Sequence, residues 1–325
     1  MTTTPPPGST GQPVQTDQPP QSGQPPQSGQ PSPAGPSLET KDAHTGTRNT
    51  VLTRFWAQRQ AKIGVAITAV VVLLAFLGPL LVPWATGYTT TEFVAPPFSG
   101  EGAAGTDNLG RDVLTRFIAG GMTLILYAAL ATLIGLVLGV LFGMTAAYTG
   151  GWLDAVIMRS NDVLLAIPQL VFALLAITVL GPQGWVLVTV IGITHAPRIA
   201  RVARSATLGV INEDYIRAAE MYAMPRLRVL TREIMPNITG PMAVEAGLRL
   251  TYSIGAIASL SFLGLGMQPP AADWGLMINE NRIALSVQPW GVLLPVAAIA
   301  LLTVGTNLIA DSIARASATS NAGEQ

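Results

Sequence analysis

Apolar residues come in long runs. Ile63 to Trp84 holds no charged residue in 22 positions and Gly120 to Tyr148 none in 29. Val163 to Ala196 is also uncharged but is interrupted at Pro168 and Gly181-Pro182, and Pro289 to Ala310 adds 22 more uncharged positions. About 20 apolar residues cross the hydrocarbon core of a bilayer, so these runs predict membrane-crossing helices. The expected spans are 63–84, 120–147, 161–180, 185–202, 239–264 and 290–311. The fold class they predict is an all-α membrane protein with six transmembrane helices.

Basic residues give the spans a direction. Arg54, Arg59 and Lys62 precede the first run, and flanking Lys and Arg stay on the cytoplasmic side. With the N-terminus inside and six alternating spans, both termini are cytoplasmic. Fourteen basic residues then lie inside, while Arg111, Arg116 and Arg282 lie outside and Arg249 falls within a span. The reversed topology would invert that bias. Residues 1–49 repeat a PPQSGQ unit and hold too few apolar side chains to fold, so a disordered cytoplasmic tail is expected. The first span and an outer loop follow (50–118), then a five-helix core (119–315) with a charged loop at 205–237, and a cytoplasmic end at 316–325.

That loop contains YIRAAEMYAMPRLRVLTREIMPN, residues 215–237, with four of the chain's eighteen basic residues. Asn212 is a suitable N-cap, and Glu213 and Asp214 fit a first helical turn. Tyr215, Ala218, Ala219 and Tyr222 recur at helical spacing as one apolar face, with Glu213 and Arg217 paired four apart on another. Pro225 suits the start of a second helix. In that helix Leu227, Leu230 and Ile234 share a face, and Pro236 ends it. Two amphipathic helices joined by a turn should therefore project on the cytoplasmic side, either lying on lipid or docking a soluble partner.

The same residues resemble the EAA loop of permease subunits of ABC importers, a Glu-Ala-Ala, three residues, Gly, nine residues, Ile-x-Leu-Pro pattern. Ala218, Ala219 and Pro236 match it in place; Arg217 stands for the Glu, Ala223 for the Gly and Met235 for the Leu. Ala223 would have to adopt the left-handed conformation that Gly takes freely, at about 1 kcal/mol, so a tighter or shifted turn is one expectation. Three further stretches, GTDNLGRDVLTRF (105–117), MRSNDVLLAIP (158–168) and SLSFLGLGMQPPAADWGLM (259–277), resemble the branch of that family that imports dipeptides, oligopeptides and nickel. The resemblance covers about residues 50–315. It implies a non-catalytic subunit with a type I importer fold, forming half of a pathway that works by alternating access. Implied partners are a second homologous permease subunit, two ATPase subunits that bind ATP and magnesium, and an extracytoplasmic substrate-binding protein. It implies that Tyr215, Arg217, Ala218, Ala219, Glu220, Tyr222, Ala223 and Pro236 couple the chain to an ATPase.

Other features narrow the chemistry. Only 11% of residues are charged, against about 25% in soluble domains, and net charge is zero without like-charge blocks, so nucleic acid is not an expected partner. No cysteine is present, which excludes disulfides and thiolate sites. The two lysines, Lys41 and Lys62, do not follow Gly, so the sequence has no phosphate-binding P-loop and the chain is expected to bind no cofactor itself. No metal site is expected: His195 is isolated. Asp107 and Asp112 suit turn formation and capping.

Glu245 and Arg249, four apart in the fifth span, either neutralise each other near its inner end or serve the pathway. Arg159 and Asp162 suit a local pair. Asn307 suits a helix–helix hydrogen bond, and Gly135, Gly139 and Gly143 suit close packing against the partner permease or a helix of the same chain. The competing functions are a peptide importer permease, a nickel permease of the same family, and a secondary transporter or channel needing no ATPase.

Overall fold

A computed structural model describes residues 52–321. The tail expected to be disordered, 1–49, lies outside these residues. Long helices dominate: α1 (Arg59–Ala85), α3 (Gly121–Thr149), α6 (Gly184–Val210), α9 (Thr239–Phe262) and α11 (Trp290–Asn321). The last of these continues beyond the span expected for it into the expected C-terminal tail. Shorter pieces connect them: α2 (Val113–Ala119), α4 (Gly151–Ala166), α5 (Gln169–Leu180), α7 (Asp214–Met221) and α10 (Trp274–Asn281). The run α8 joins Arg226–Arg228, a π-helical Val229–Ile234 and Met235–Asn237.

Four helical segments among the described residues, corresponding to α1, α2 with α3, α6 and α11, are long and apolar enough to cross a bilayer. The third expected span is not a straight helix. Pro168 breaks it into α4 and α5, which meet at 84°. The residue before a proline is driven to extended backbone, and Ile167 takes ψ 124°. Sixteen and twelve residues rise about 24 and 18 Å, so neither piece crosses a core of about 30 Å alone.

The expected fifth span, α9, is long enough, but Ser, Thr, Gly, Glu245 and Arg249 dilute its apolar character. It packs centrally, against α3, α6 and α11, where neighbouring helices rather than lipid meet Glu245, Arg249 and Ser253.

Packing in lipid relies on close approach, because apolar tails solvate apolar side chains as well as a neighbouring helix does. The closest pair is α3 with α6. A Cβ on Gly135 would stand 2.8 Å from the Cβ of His195, on Gly139 2.5 Å from the Cβ of Ile199, and on Gly143 2.4 Å from the Ala200 carbonyl. Small residues at four-residue spacing let the two backbones touch. Of the two packing surfaces expected for these glycines, the structure has the helix of the same chain. Gly305 makes the equivalent approach between α11 and Thr68 of α1.

Tryptophans mark where the bundle meets its interfaces. Trp84, Trp185 and Trp290 are exposed at the adjoining ends of α1, α6 and α11, and Trp56 and Trp152 are exposed at the opposite end. Trp suits the headgroup region because its ring is apolar and its N–H is polar. Trp274 is instead fully buried and donates its indole N–H to the Phe117 carbonyl at 2.8 Å.

Candidate functional site

The segment 212–238 forms a hairpin at the Trp152 end of the bundle. Its first helix, α7, starts at Asp214 with Glu213 at the N-cap and no side-chain cap bond, one residue later than Asn212 would have placed it. Arg217 pairs with Asp214 at 3.8 Å rather than with Glu213.

The apolar face divides in two. Ile216 and Ala219 are buried, in one cluster with Met144 of α3, Ile199 and Ala203 of α6, and Val229 and Ile234 of α8. Burying Ile216 contributes about 2 kcal/mol. Tyr215, Ala218 and Tyr222 face outward instead, beside Met221 and Leu227. Exposure reaches 86% at Met221, 84% at Tyr222, 71% at Leu227 and 41% at Tyr215. The sequence pattern grouped Ala219 with the tyrosines because all four are apolar at helical spacing. Ile216 competes for the core more strongly than any of them and turns the helix by about one position.

A left-handed residue closes the turn. Ala223 has φ +53°, and it donates to the Glu220 carbonyl at 2.9 Å while Met224 donates to that of Ala219 at 3.1 Å. These two bonds form the C-terminal cap that usually carries Gly at this position. The turn is therefore kept without a shift, at the conformational cost of a side chain at positive φ.

The second helix follows Pro225, which sits at its N-cap. Its π-helical stretch places one extra residue in the turn, so Val229 and Ile234, five apart, are both buried and Leu227 is pushed outward. Leu230 packs partly against the same cluster. Pro236 does not end this helix: Met235–Asn237 is helical and only Ile238 separates it from α9. The hairpin thus runs nearly without interruption into the central helix. Glu220 and Pro236 are exposed.

Two salt bridges support the α6 end beneath the hairpin. Arg204 grips Asp154 through two nitrogens, at 2.7 and 2.6 Å. Arg201 reaches Asp162 at 2.6 Å, which replaces the local Arg159–Asp162 pair with a contact between α4 and α6. Charge at this end ties separate helices together because the bent α4 lies beside α6.

Inside the bundle, Arg249 Nε donates to Glu245 Oε1 at 2.7 Å, with both side chains at most 10% exposed. Arg249 also lies over the Tyr252 ring, 5.1 Å from its centre. Neighbouring helices, rather than water reached by snorkelling, enclose the pair. One turn further, Ser253 Oγ lies 3.0 Å from both Thr132 Oγ1 and His195 Nε2, joining α9 to α3 and α6. His195 serves this hydrogen-bonded junction. Asn307 is exposed; the polar contact between α9 and α11 is Thr251 with Thr306, at 3.1 Å.

The opposite end holds a network that the sequence did not announce. Arg111 Nε and Arg116 Nη1 each donate to Asp107 Oδ2 at 2.7 Å, and both guanidinium groups also reach Glu280 Oε2, at 3.2 and 3.0 Å. All four side chains are at most 7% exposed. Asp107 also accepts from the Leu109 and Arg111 backbone N–H groups, and Asp112 caps α2 by accepting from Thr115. The GTDNLGRD stretch is thereby fastened to α10. Glu280 lies more than 160 residues from its arginines in sequence, so spacing gave no signal for it.

The sequence profile described as "Binding-protein-dependent transport system inner membrane component" matches residues 135–320. Among curated proteins, the chain is 33% identical to a dipeptide transport system permease of Alkalihalophilus pseudofirmus, covering 78% of this chain and 83% of that one. It is 32% identical to a di/tripeptide transport system permease of Pseudomonas aeruginosa (81% and 90%). It is 31% identical to an oligopeptide transport system permease of Bacillus subtilis (80% and 85%). A solved chain of the MetNI methionine ABC transporter in an inward-facing conformation is 16% identical, with TM-score 0.48 over 62% of this chain and 96% of that one.

Proposed function

This chain belongs to the family of inner-membrane components of binding-protein-dependent transport systems, and from that premise we propose that it is a permease subunit of an ATP-driven importer of di- or oligopeptides. The relatives named for dipeptides, di/tripeptides and oligopeptides favour peptide over nickel as the cargo. In this reading the chain forms half of the pathway and a second homologous permease forms the other half. Two ATPase subunits dock below, binding ATP and magnesium, and an extracytoplasmic binding protein delivers the peptide. Both termini and the 212–238 hairpin face the cytoplasm, as the distribution of basic residues supports.

The observation that carries this reading is the two-sided hairpin. Tyr215, Met221, Tyr222 and Leu227 leave an apolar surface exposed, while Ile216 and Ala219 key the same element to α3 and α6. Exposed apolar surface outside the membrane marks a protein contact. A partner that moved this surface would move α9 with it, because α8 runs into α9 after one non-helical residue. Closure of the ATPases would open the pathway outward, and hydrolysis with release would return it inward. No P-loop lies in the chain, so the energy enters through this contact.

The test is uptake in proteoliposomes. The chain assembled with its partner permease, ATPases and binding protein should take up peptide only with ATP. Peptide movement by the chain alone down an ion gradient would contradict the proposal. The orientation is tested separately: Glu220→Cys should resist a membrane-impermeant maleimide applied to intact cells and react after the membrane is opened.

A further inference from the structure

Two helices turn polar residues outward at membrane depth. Outward positions of α1 and α3 are mainly apolar, as at Leu73, Leu80, Leu133 and Val137. On α6 no residue between Trp185 and Arg198 is exposed, and then Arg198, Arg201 and Ser205 face outward in turn. On α9 the outward positions include Tyr252, Gly255 and Ser259. A Cβ added at Gly255 would meet nothing within 4 Å, so that face borders open space.

Arg198 stands 13 residues beyond Trp185, about 20 Å along the helix and within a hydrocarbon core of about 30 Å. Five charged residues lie on α6 and α9, and four of them are paired. Arg201 meets Asp162, Arg204 meets Asp154, and Arg249 meets Glu245. Arg198 alone of the five has no counterion among the described residues. An exposed, unpaired guanidinium is strongly disfavoured against lipid tails, and at that depth it faces a water-filled space. The second arginine lies at the same level. His195 and Ser253 join the two antiparallel helices at 3.0 Å. Arg198 follows His195 by three residues and Arg249 precedes Ser253 by four, so both lie about one turn nearer the hairpin. The charges of both act on His195. Arg249 Nη1 has no hydrogen-bond partner, so donors exceed acceptors in this layer.

One uncompensated positive charge suits a single carboxylate, to which a guanidinium offers a planar fork of donors. Every peptide with a free C-terminus carries such a group. We propose that Arg198 holds the C-terminal carboxylate of a peptide in transit, in a water-filled stretch walled by the outward faces of α6 and α9. The inference rests on the peptide-permease reading given under Proposed function, and it names the part of the cargo that this chain recognises.

The test uses the full complex in proteoliposomes: this chain with its partner permease, ATPases and binding protein. Initial ATP-driven uptake is measured for trialanine and for trialanine amide, which lacks the carboxylate. The binding protein is the same throughout, so its own preference cancels when a variant is compared with wild type for one peptide. Arg198→Met should slow trialanine uptake about ten-fold, as the loss of one charge-assisted hydrogen bond implies, and leave the amide within about two-fold. Arg198→Lys, which keeps the charge, should restore most of the trialanine rate. Equal slowing of both peptides, or no slowing of either, in a complex that assembles normally would overturn the site. Loss of the partner permease from the Arg198→Met complex would make Arg198 a subunit contact and overturn it as well. Trialanine movement without ATP in the wild-type complex would instead contradict the importer reading itself.

Discussion

Met224 donates its backbone N–H to the Ala219 carbonyl at 3.1 Å, around an Ala223 held at φ +53°. The bond reaches five residues back and ends α7 in the conformation glycine prefers. Alanine pays there for a Cβ that crowds the carbonyl, at about 1 kcal/mol.

Ala223→Gly should therefore relieve local strain without altering the hairpin. The expected outcome is a gain of up to about 1 kcal/mol, less the extra freedom glycine has when unfolded. It should be read as slower hydrogen exchange across 214–224 with unchanged uptake. Faster exchange there would show that Ala223 is not strained.

Gly143 faces backbone rather than a flexible side chain: an added Cβ would stand 2.4 Å from the Ala200 carbonyl. Gly143→Val should separate α3 from α6 and destabilise the fold by at least about 1–3 kcal/mol. A lowered thermal midpoint of the purified complex checks this. Gly209, where an added Cβ meets nothing within 4 Å, provides the comparison. Gly209→Ala should leave the midpoint unchanged or raise it slightly, since Ala favours helix over Gly.

Much of the architecture could be read from sequence because lipid imposes a simple rule on chain composition. Charge-free runs located α1, α3, α6 and α11, and Pro168 and Gly181 were visible as breaks. The 84° bend at Pro168 was not, because a proline gives the place of a break and neighbouring helices set its angle. Periodicity placed a hairpin at 212–236, yet assigned Ala219 to the wrong face and missed the π-helical stretch that turns Leu227 outward. Helical spacing assumes an unbroken period, and one extra residue in a turn defeats it. The Asp107–Glu280 network was hidden for a different reason. Its members come from one loop and two separate helices, α2 and α10, and only the packed fold brings them together.

Arg116 is, with Asp107, the most enclosed member of that network. Replacing it with methionine keeps volume but leaves Asp107 and Glu280 with Arg111 alone. Removing one partner from a buried charge group costs about 3–5 kcal/mol. Arg116→Met should accordingly expose the loop 93–112 to limited proteolysis. Resistance equal to wild type would show that the remaining bonds suffice.

The same network should respond to pH. Burial pushes the Glu280 carboxyl up to about 7, opposed by Arg111 and reinforced by Asp107. The folded state then holds this proton more tightly than the unfolded one, so stability falls as pH rises between about 4.5 and 7. Burial moves Asp273, which caps α10, in the same direction, to about 6. Proteolytic resistance of the loop 93–112 should thus be greater at pH 5.5 than at pH 8, and Glu280→Gln should flatten much of that difference. A loop that became more resistant as pH rose would reverse the sign and contradict the assignment.

The most direct test concerns the outward face of α7. Tyr222 is 84% exposed and touches no core cluster, so Tyr222→Asp should fold normally while placing a charge within an apolar contact. The measurement is co-purification of the ATPase subunits with this chain, alongside uptake. The account predicts that both fall at least about ten-fold while the partner permease stays bound, since burying an unpaired carboxylate costs several kcal/mol. ATPase co-purification and uptake at wild-type levels in that variant would contradict it.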